Sequence, residues 1–542
     1  MELTREGIKD RKAWEEKGYN LPKFDIEEVT EKTMKNPEWI HFGAGNIFKA
    51  YQSRIAQNLL NEGKIEKGIV VAEGFDYEII EKMNRPHDNL AVVVTLKSDG
   101  TIDKDIVASV VESRILDSNN QPEFDRLKEI FTNPSLKMAS FTITEKGYSL
   151  TNAGGITLPA VAEDFKNGPA KPNSYIGKVA ALLYDRYKAG ELPIAMVSMD
   201  NVSHNGDKLF AAIDAYAKEW TKNGLAEEGF VNYVEDPKKV SFPWSMIDKI
   251  TPRPDAGVEK MLEKDNIEGL DAVITSKNTY VAPFTNAEET EYLVIEDTFP
   301  NGHPDLEDAG VIFTDKETVD KVEKMKVTTC LNPLHTAMAV YGVLLDYKKI
   351  SDEMKDPAIV DLISSIGYIE GLPVVVNPGV LDPKEFIDTV IQVRFPNPFM
   401  PDTPQRIATD TSQKLAFRYG ETIKSYIKEG KDLGALKFIP LAQAGWIRYL
   451  MGLDDNGVAF ELSPDPLMAE VKPIADKLSL DKDQSIEEIE EIIAPLLHNK
   501  KIFGVDLFEV GLAPKVVEYV KELTNGKGAV RTTLDKATGE NK

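Results

Sequence analysis

The sequence predicts a two-domain α/β protein: a parallel sheet wound with helices in its first half, and a mainly α-helical second half. Three observations predict it. The chain has 542 residues, too long for one ordinary core. Up to about residue 290 short β-branched runs alternate with helical patterns, and beyond that point helical periodicity dominates. Hydrophobic residues make up 42% and charged residues 28%, enough apolar surface to offset chain entropy, which excludes general disorder.

Taken in order, the strands are expected at 39–42, 68–72, 91–96, 139–144 and 194–198, with an amphipathic stretch at 48–62 between the first two. Strands separated by helices call for right-handed crossovers and a parallel sheet. Helices are expected at 319–326, 336–347, 357–368, 404–426 and 487–498. The segment 296–315, rich in Asp, Pro and Gly, reads as a connector, so the domains are placed at 1–295 and 296–542.

Lys and Arg number 64 against 89 Asp and Glu, a formal net charge of −25. Such a body repels phosphate backbones and anionic lipid, so neither nucleic acid nor a membrane is an expected partner. An anionic substrate would need cations concentrated locally. Cys330 is the single cysteine, which excludes an intramolecular disulfide and a cysteine metal cluster. The charged start MELTREGIKDRKAWEEKGY has no apolar core, so a secretory signal is not expected there. Residues 327–345 lack Asp, Glu, Lys and Arg, but their apolar half is too short to span a bilayer, so they read as buried or cleft-lining. The expected location is the cytoplasm.

The first chemical motif is WIHFGAGNIFKAYQ, in which the strand 39–42 runs into Gly43-Ala44-Gly45 and then a helix. Glycines there allow a tight turn and bring helix N-terminal amides near a pyrophosphate. The third glycine of the usual fingerprint is absent, with Phe48 and Lys49 near its place. The next strand ends in Glu73 and Asp76. A carboxylate there accepts from the adenosine ribose 2′-OH and repels a 2′-phosphate, which favours NAD over NADP. The alternative is that one or both cap the following helix, a role that suits Asp76.

Three further segments end strands or turns with polar groups. SFTITEKGY carries Glu145 before a Lys-Gly turn. VSMDNVSHNGD carries Asp200, Asn201, Ser203, His204 and Asn205, at the kind of strand end where open α/β sheets bind ligands, or else in an Asx-rich turn. FPWSMIDKITP places Asp248 beside Lys249, where a surface pair is the plain alternative.

In MKVTTCLNPLHTAMAVYG, Asn332 and Pro333 read as an N-cap and first-turn proline, with His335 one turn on. Lys326 precedes them in a segment otherwise without charge, where desolvation would lower its pKa toward that of a base. The alternative is a snorkelling lysine, a cap and a core histidine. In RIATDTSQK, Arg406 and Lys414 would sit about 80° apart on a helix and could line one wall of a pocket, unless Asp410 pairs with either.

These eight blocks, HFGAGNIFKA, SFTITEKGY, SMDNVSHNG, FPWSMIDKITP, KVTTCLNPLH, RIATDTSQK, AGWIRYLMGLDDNG and SPDPL, resemble in order those of the long-chain polyol dehydrogenases. That family includes mannitol dehydrogenase, fructuronate reductase and tagaturonate reductase. The resemblance implies a Rossmann-type amino-terminal domain, a mainly helical carboxy-terminal domain and a metal-independent NAD-dependent dehydrogenase with its active site between them. It implies that Phe42, Gly43, Ala44, Gly45, Asn46, Glu73, Asp76 and Glu145 bind the cofactor. It also implies Lys326 as general base, Asn201 and Asn332 as donors to the developing alkoxide, and His335 as the residue orienting the substrate. Arg406 and Lys414 would bind the substrate's far end, supported by Asp248.

Two features depart from the family. Five residues separate Lys326 from Asn332 where four are usual, so either a one-residue bulge absorbs the insertion or Lys326 is displaced. Trp244 and Pro333 stand where a small polar residue and glycine are common. The expected reaction is D-mannonate to D-fructuronate interconversion, with tagaturonate reduction second and mannitol oxidation third. The substrate is then a small sugar acid or polyol, and the enzyme a monomer or small homo-oligomer. An epimerase that retains its NAD and a non-catalytic sugar-binding protein are the readings from other classes.

Overall fold

The computed structural model describes residues 1–539. They form two compact units. The first holds 1–97 and 101–320; the second holds 98–100 and everything from 321 onward.

The first unit is built on six strands, β1 (Trp39–Phe42), β2 (Ile69–Glu73), β3 (Val110–Ile115), β4 (Met138–Phe141), β5 (Ile194–Ser198) and β6 (Val240–Ser241). Their order is β3-β2-β1-β4-β5-β6, and every neighbouring pair is parallel. The order reverses between β1 and β4, so the carboxyl ends of those two strands flank the switch point where such sheets bind ligands. The strands are parallel because helices cover both faces and each strand is buried on both sides. β1, β2, β4 and β5 are buried along their whole length. Two apolar clusters lie on opposite faces: Ile40, Val70 and Met196 belong to one, Trp39, Val71 and Val197 to the other.

Three expectations change here. The run 91–96 is a strand, but it sits in a second, mixed sheet, antiparallel to Ile102–Val107 and parallel to Phe284–Glu288. The turn 98–100 folds the chain straight back, so its pairing is local rather than by crossover. β4 stops at Phe141 instead of 144 because Thr144 takes φ +63° and opens a short helix, Thr144–Gly147. Finally, 296–315 is not a plain connector: Ile312–Thr314 pairs with Tyr292–Glu296 in parallel, so the compact units divide after Asp320 rather than at 295/296.

Arg186, fully buried on the Tyr175–Lys188 helix, ties the amino ends of β4 and β5. Its guanidinium donates to the carbonyls of Phe131, Asn133, Leu136, Leu192 and Pro193.

The second unit is helical, around Asn332–Leu344 and Phe438–Tyr449. The helical run 357–374 is long and apolar enough to cross a membrane by length and composition, and over half of it is buried in the unit. Within it the buried Glu370 accepts the amides of Lys437, Phe438 and Ile439 at 2.5, 2.7 and 2.7 Å, satisfying the first turn of the 438–449 helix.

Candidate active site

At the carboxyl end of β1, Gly43 has φ +107°, and a Cβ there would lie 2.3 Å from the carbonyl oxygen of Thr142. Its amide donates to the Ala72 carbonyl at 2.9 Å, so the turn is pinned to β2 while pressed on β4. Gly45 differs: a Cβ there would meet nothing within 4 Å. The fold does not require glycine at 45, and its absence of a side chain leaves the backbone approachable, as a pyrophosphate demands. Phe42 is fully buried and Ala44 nearly so, while Asn46 is partly exposed and reaches the Pro252 carbonyl at 3.5 Å. Phe48, in the place of the third glycine, stacks on His41 with centroids 4.4 Å apart. Burial draws Lys49 down to about 8, against the raising charge of Glu73, and its ammonium donates to the Ala282 carbonyl at 3.1 Å.

The two carboxylates after β2 have separate duties. Glu73 is buried and accepts the amides of Ala44 at 2.8 Å, Phe75 at 2.8 Å and Asp76 at 3.2 Å. Burial raises its carboxyl above the ordinary range, opposed by those amides. It therefore holds the glycine turn. Asp76 is not a cap, because the following helical turn Ile79–Asn84 has no side-chain cap. Its Oδ2 accepts from Thr275 Oγ1 at 2.6 Å, and its buried Oδ1 has no hydrogen-bond partner. Asp76 borders a cavity of about 500 Å³ together with Phe75, Tyr175, Lys178 and Ser276.

At the switch point, the polar cluster after β5 divides between scaffold and surface. Asn205 is buried, and its amide donates to the Ser198, Asp200 and Ser245 carbonyls and to Ser245 Oγ. Asp200 clamps the neighbouring loop. Its carboxylate accepts the amides of Ile143 and Thr144 at 2.9 and 3.0 Å and the Tyr148 hydroxyl at 2.5 Å. Burial raises its pKa, with the Tyr148 bond opposing. A left-handed φ is strained for the β-branched Thr144, and Asp200 holds it there.

Asn201 and Ser203 remain exposed, and the Asn201 amide makes no hydrogen bond among the described residues. Glu145 is exposed and ion-paired with Lys208. Trp244 is buried, stacked on His204 at 4.0 Å, with its indole N–H on Asp207 at 2.8 Å. Asp248 is likewise buried, and the Lys249 ammonium is bound to Glu291 at 2.6 Å, so the surface-pair alternative for Asp248 and Lys249 does not hold.

Replacing Asp200 by alanine is expected to cost about 2 kcal/mol, because two loop amides and a phenol lose one shared acceptor. The 142–149 loop should then loosen, read as faster tryptic cleavage after Lys146 and a lower thermal midpoint. Unchanged cleavage would show that the loop needs no clamp.

In the second unit, Lys326–Cys330 is one π-helical turn that leads into the Asn332–Leu344 helix. The Leu331 amide donates to the Lys326 carbonyl at 3.1 Å, an i to i+5 bond that takes up one extra residue. This is a one-residue bulge, the first of the two alternatives that the five-residue spacing left open. Lys326 is buried at 6% exposure. Leu331, not Asn332, occupies the N-cap position, and Asn332 and Pro333 are the first helical residues. The Asn332 side chain is thus free of capping duty, contrary to the cap expectation.

His335 is held neutral. Burial and then the charges of Arg418, Arg394, Arg406 and Lys414 lower its pKa to about 3. Its Nε2 is buried and has no hydrogen-bond partner.

Arg406 and Lys414 do not share a helix. The expected 404–426 helix breaks because Asp410 takes φ +55° and its amide turns to the Pro464 carbonyl at 2.8 Å. Asp465 accepts from the Ser412 amide at 2.8 Å, and Ser463 Oγ donates to the Gln405 carbonyl at 2.7 Å, so the SPDPL block braces this turn. Arg406 pairs with Asp402, leaving Asp410 out of the role expected for it. The Lys414 ammonium donates to the Thr409 carbonyl, and burial followed by Arg418 lowers its pKa. Arg394 and Arg418 were not singled out in the sequence. The available signal was Arg418 four residues after Lys414, a like-charge pair at helical spacing that is unfavourable without an anion.

Residues 37–308 match the mannitol dehydrogenase Rossmann domain, and residues 318–524 match the mannitol dehydrogenase C-terminal domain. A D-mannonate oxidoreductase from Thermotoga maritima is 52% identical, over 99% of each chain. Two solved structures share the fold at 24% identity. A substrate-free D-sorbitol dehydrogenase has a TM-score of 0.79 over 95% of this chain and 97% of its own. The Pseudomonas fluorescens mannitol 2-dehydrogenase, in a ternary complex with NAD and D-mannitol, has 0.66 over 99% of each. With both domains and nearly the full length matched, this chain belongs to the mannitol dehydrogenase family.

Proposed function

We propose that this protein is an NAD-dependent oxidoreductase that interconverts D-mannonate and D-fructuronate. The observation that carries the reading is the set of cations gathered about a neutral His335, on the helix that begins with Asn332, in a chain of net charge −25. A hexonate carboxylate is the anion such a cluster suits. The name of the relative at 52% identity, D-mannonate oxidoreductase, supports the same substrate.

The first unit suits a dinucleotide. The open Gly45 backbone would face the pyrophosphate within the turn 42–46, and the unpartnered Asp76 Oδ1 would accept from the ribose 2′-OH. Glu145, beyond the end of β4, would be a further cofactor contact. Bound NAD supplies the hydride acceptor. Lys326 takes the hydroxyl proton as the secondary carbinol becomes a ketone, so that one hydride and one proton leave the substrate. Asn332 and Asn201 are the proposed amide donors to the developing alkoxide, each worth about 3 kcal/mol in a preorganised site. His335, neutral, orients the substrate through its free ring nitrogen. Arg406 and Lys414 hold the far end, and Asp248 supports the network. We place the enzyme in the cytoplasm, as a monomer or small homo-oligomer, with neither nucleic acid nor membrane as partner; the net charge of −25 supports the exclusion of those two partners.

An NAD reduction assay across D-mannonate, D-altronate, D-mannitol and D-arabinitol tests the reading. NADH should form fastest with mannonate. Turnover of the polyols alone would overturn the acid preference. Conversion of a sugar acid without net NADH would replace the dehydrogenase by an NAD-retaining epimerase.

A further inference from the structure

The cations about His335 are not equivalent. Arg406 is ion-paired with Asp402 and its side chain is 64% exposed. Lys414 is turned onto the backbone carbonyls of Thr409 and Ile407. Arg418 has neither arrangement: its guanidinium donates to Thr336 Oγ1, and it makes no ion pair among the described residues. Thr336 Oγ1 in turn donates to the Asn332 carbonyl at 2.9 Å, and Tyr419, the next residue, donates its hydroxyl to the Pro333 carbonyl at 2.7 Å. Arg418 is thereby fixed to the first turn of the helix that carries Asn332 and His335. Its own amide donates to the Lys414 carbonyl at 3.0 Å, so the two like charges stand one helical turn apart on one face.

A like-charge pair of this kind, with neither member ion-paired to a carboxylate among the described residues, is unfavourable unless an anion joins it. The bond to Thr336 uses one of the five N–H donors of the guanidinium and leaves paired donors for a bidentate contact. We propose that Arg418 takes the carboxylate of the sugar acid and so sets the preference for an acid over a neutral polyol. This rests on the function proposed above and adds to it the residue that discriminates. Arg406 and Lys414, already engaged by the protein, would then serve hydroxyls common to acids and polyols.

The test compares wild-type enzyme with Arg418→Leu and Arg418→Lys, assayed with NAD on D-mannonate and D-mannitol, with NADH affinity followed by fluorescence titration. Arg418→Leu should raise KM for mannonate by at least 100-fold, with kcat lowered less than tenfold and NADH affinity and mannitol kinetics unchanged. Arg418→Lys, which keeps the charge but loses the fork, should recover part of the mannonate affinity. An unchanged mannonate KM in Arg418→Leu would overturn the inference while leaving the proposed reaction intact. An equal loss on both substrates, or a loss of NADH binding, would overturn it in favour of a structural role; should the leucine variant fail to fold, Arg418→Lys with an unaltered mannonate KM does the same. A wild-type enzyme that oxidises mannitol but not mannonate would instead overturn the proposed function, and the inference with it.

Discussion

Replacing Lys326 by alanine is expected to lower kcat by about 1,000-fold, within the range a positioned general base contributes. Affinity for NADH should stay within about twofold, because Lys326 is not among the residues proposed to hold the dinucleotide. The π-helical turn is the reason to expect so large an effect. Without it, the extra residue between Lys326 and Asn332 would rotate the lysine by about 100° around the helix axis relative to Asn332. The i to i+5 bond at Leu331 removes that rotation. Chemical rescue separates base from bystander: small primary amines should restore part of the rate lost in Lys326→Ala. His335→Gln should leave the pH profile of kcat unchanged, because a ring held neutral down to about pH 3 does not titrate in the assay range. If Lys326→Ala retains more than a tenth of the wild-type kcat, the base lies elsewhere.

Glu73→Ala is expected to reduce both stability and cofactor affinity, and in this it should differ from Asp76→Asn. Glu73 is the buried acceptor for three amides, one of them Ala44 in the glycine turn. Removing it orphans those amides at a cost of about 3 kcal/mol, and freeing the turn should weaken NAD binding by about 100-fold. Asp76 spends one oxygen on Thr275 and leaves the other unpartnered. Asp76→Asn should therefore barely move the urea midpoint while weakening NAD binding about tenfold and narrowing the preference over NADP, since an amide no longer repels a 2′-phosphate. Urea unfolding and NADH titration of both variants check the pair. Equal effects in the two variants would mean that the division of duties between the carboxylates is wrong.

How much was legible in the sequence depended on the range of the interaction. β1 and β5 were legible to the residue, because a strand buried on both faces is an unbroken apolar run. β3 was not, since VVESRI carries Glu112 and Arg114, whose charges are buried only through their pairing with each other and with Arg126. The helix over 404–426 failed at Asp410, whose left-handed backbone depends on an amide bond to Pro464, a partner far along the chain. Among the candidate site residues, Lys326, Asn332 and His335 stand out in the sequence as a block, whereas the idle state of the Asn332 and Asn201 amides and the busy state of Glu73 and Asp200 do not.

By itself the sequence determined the α/β class, the glycine turn after the first strand, the cationic and amide residues in their family order, and an acidic body unsuited to polyanions. All of these follow from local pattern, composition and spacing along the chain. Only the tertiary structure decided which polar groups are consumed by the fold and which are left for chemistry. It gave Glu73 and Asp200 to backbone amides, turned the extra residue before Asn332 into a π-turn, and placed Arg418 beside Thr336 without a carboxylate. The physical reason is that a hydrogen bond or ion pair is satisfied by whatever lies within about 3 Å in space, and that neighbour is set by packing rather than by position along the chain.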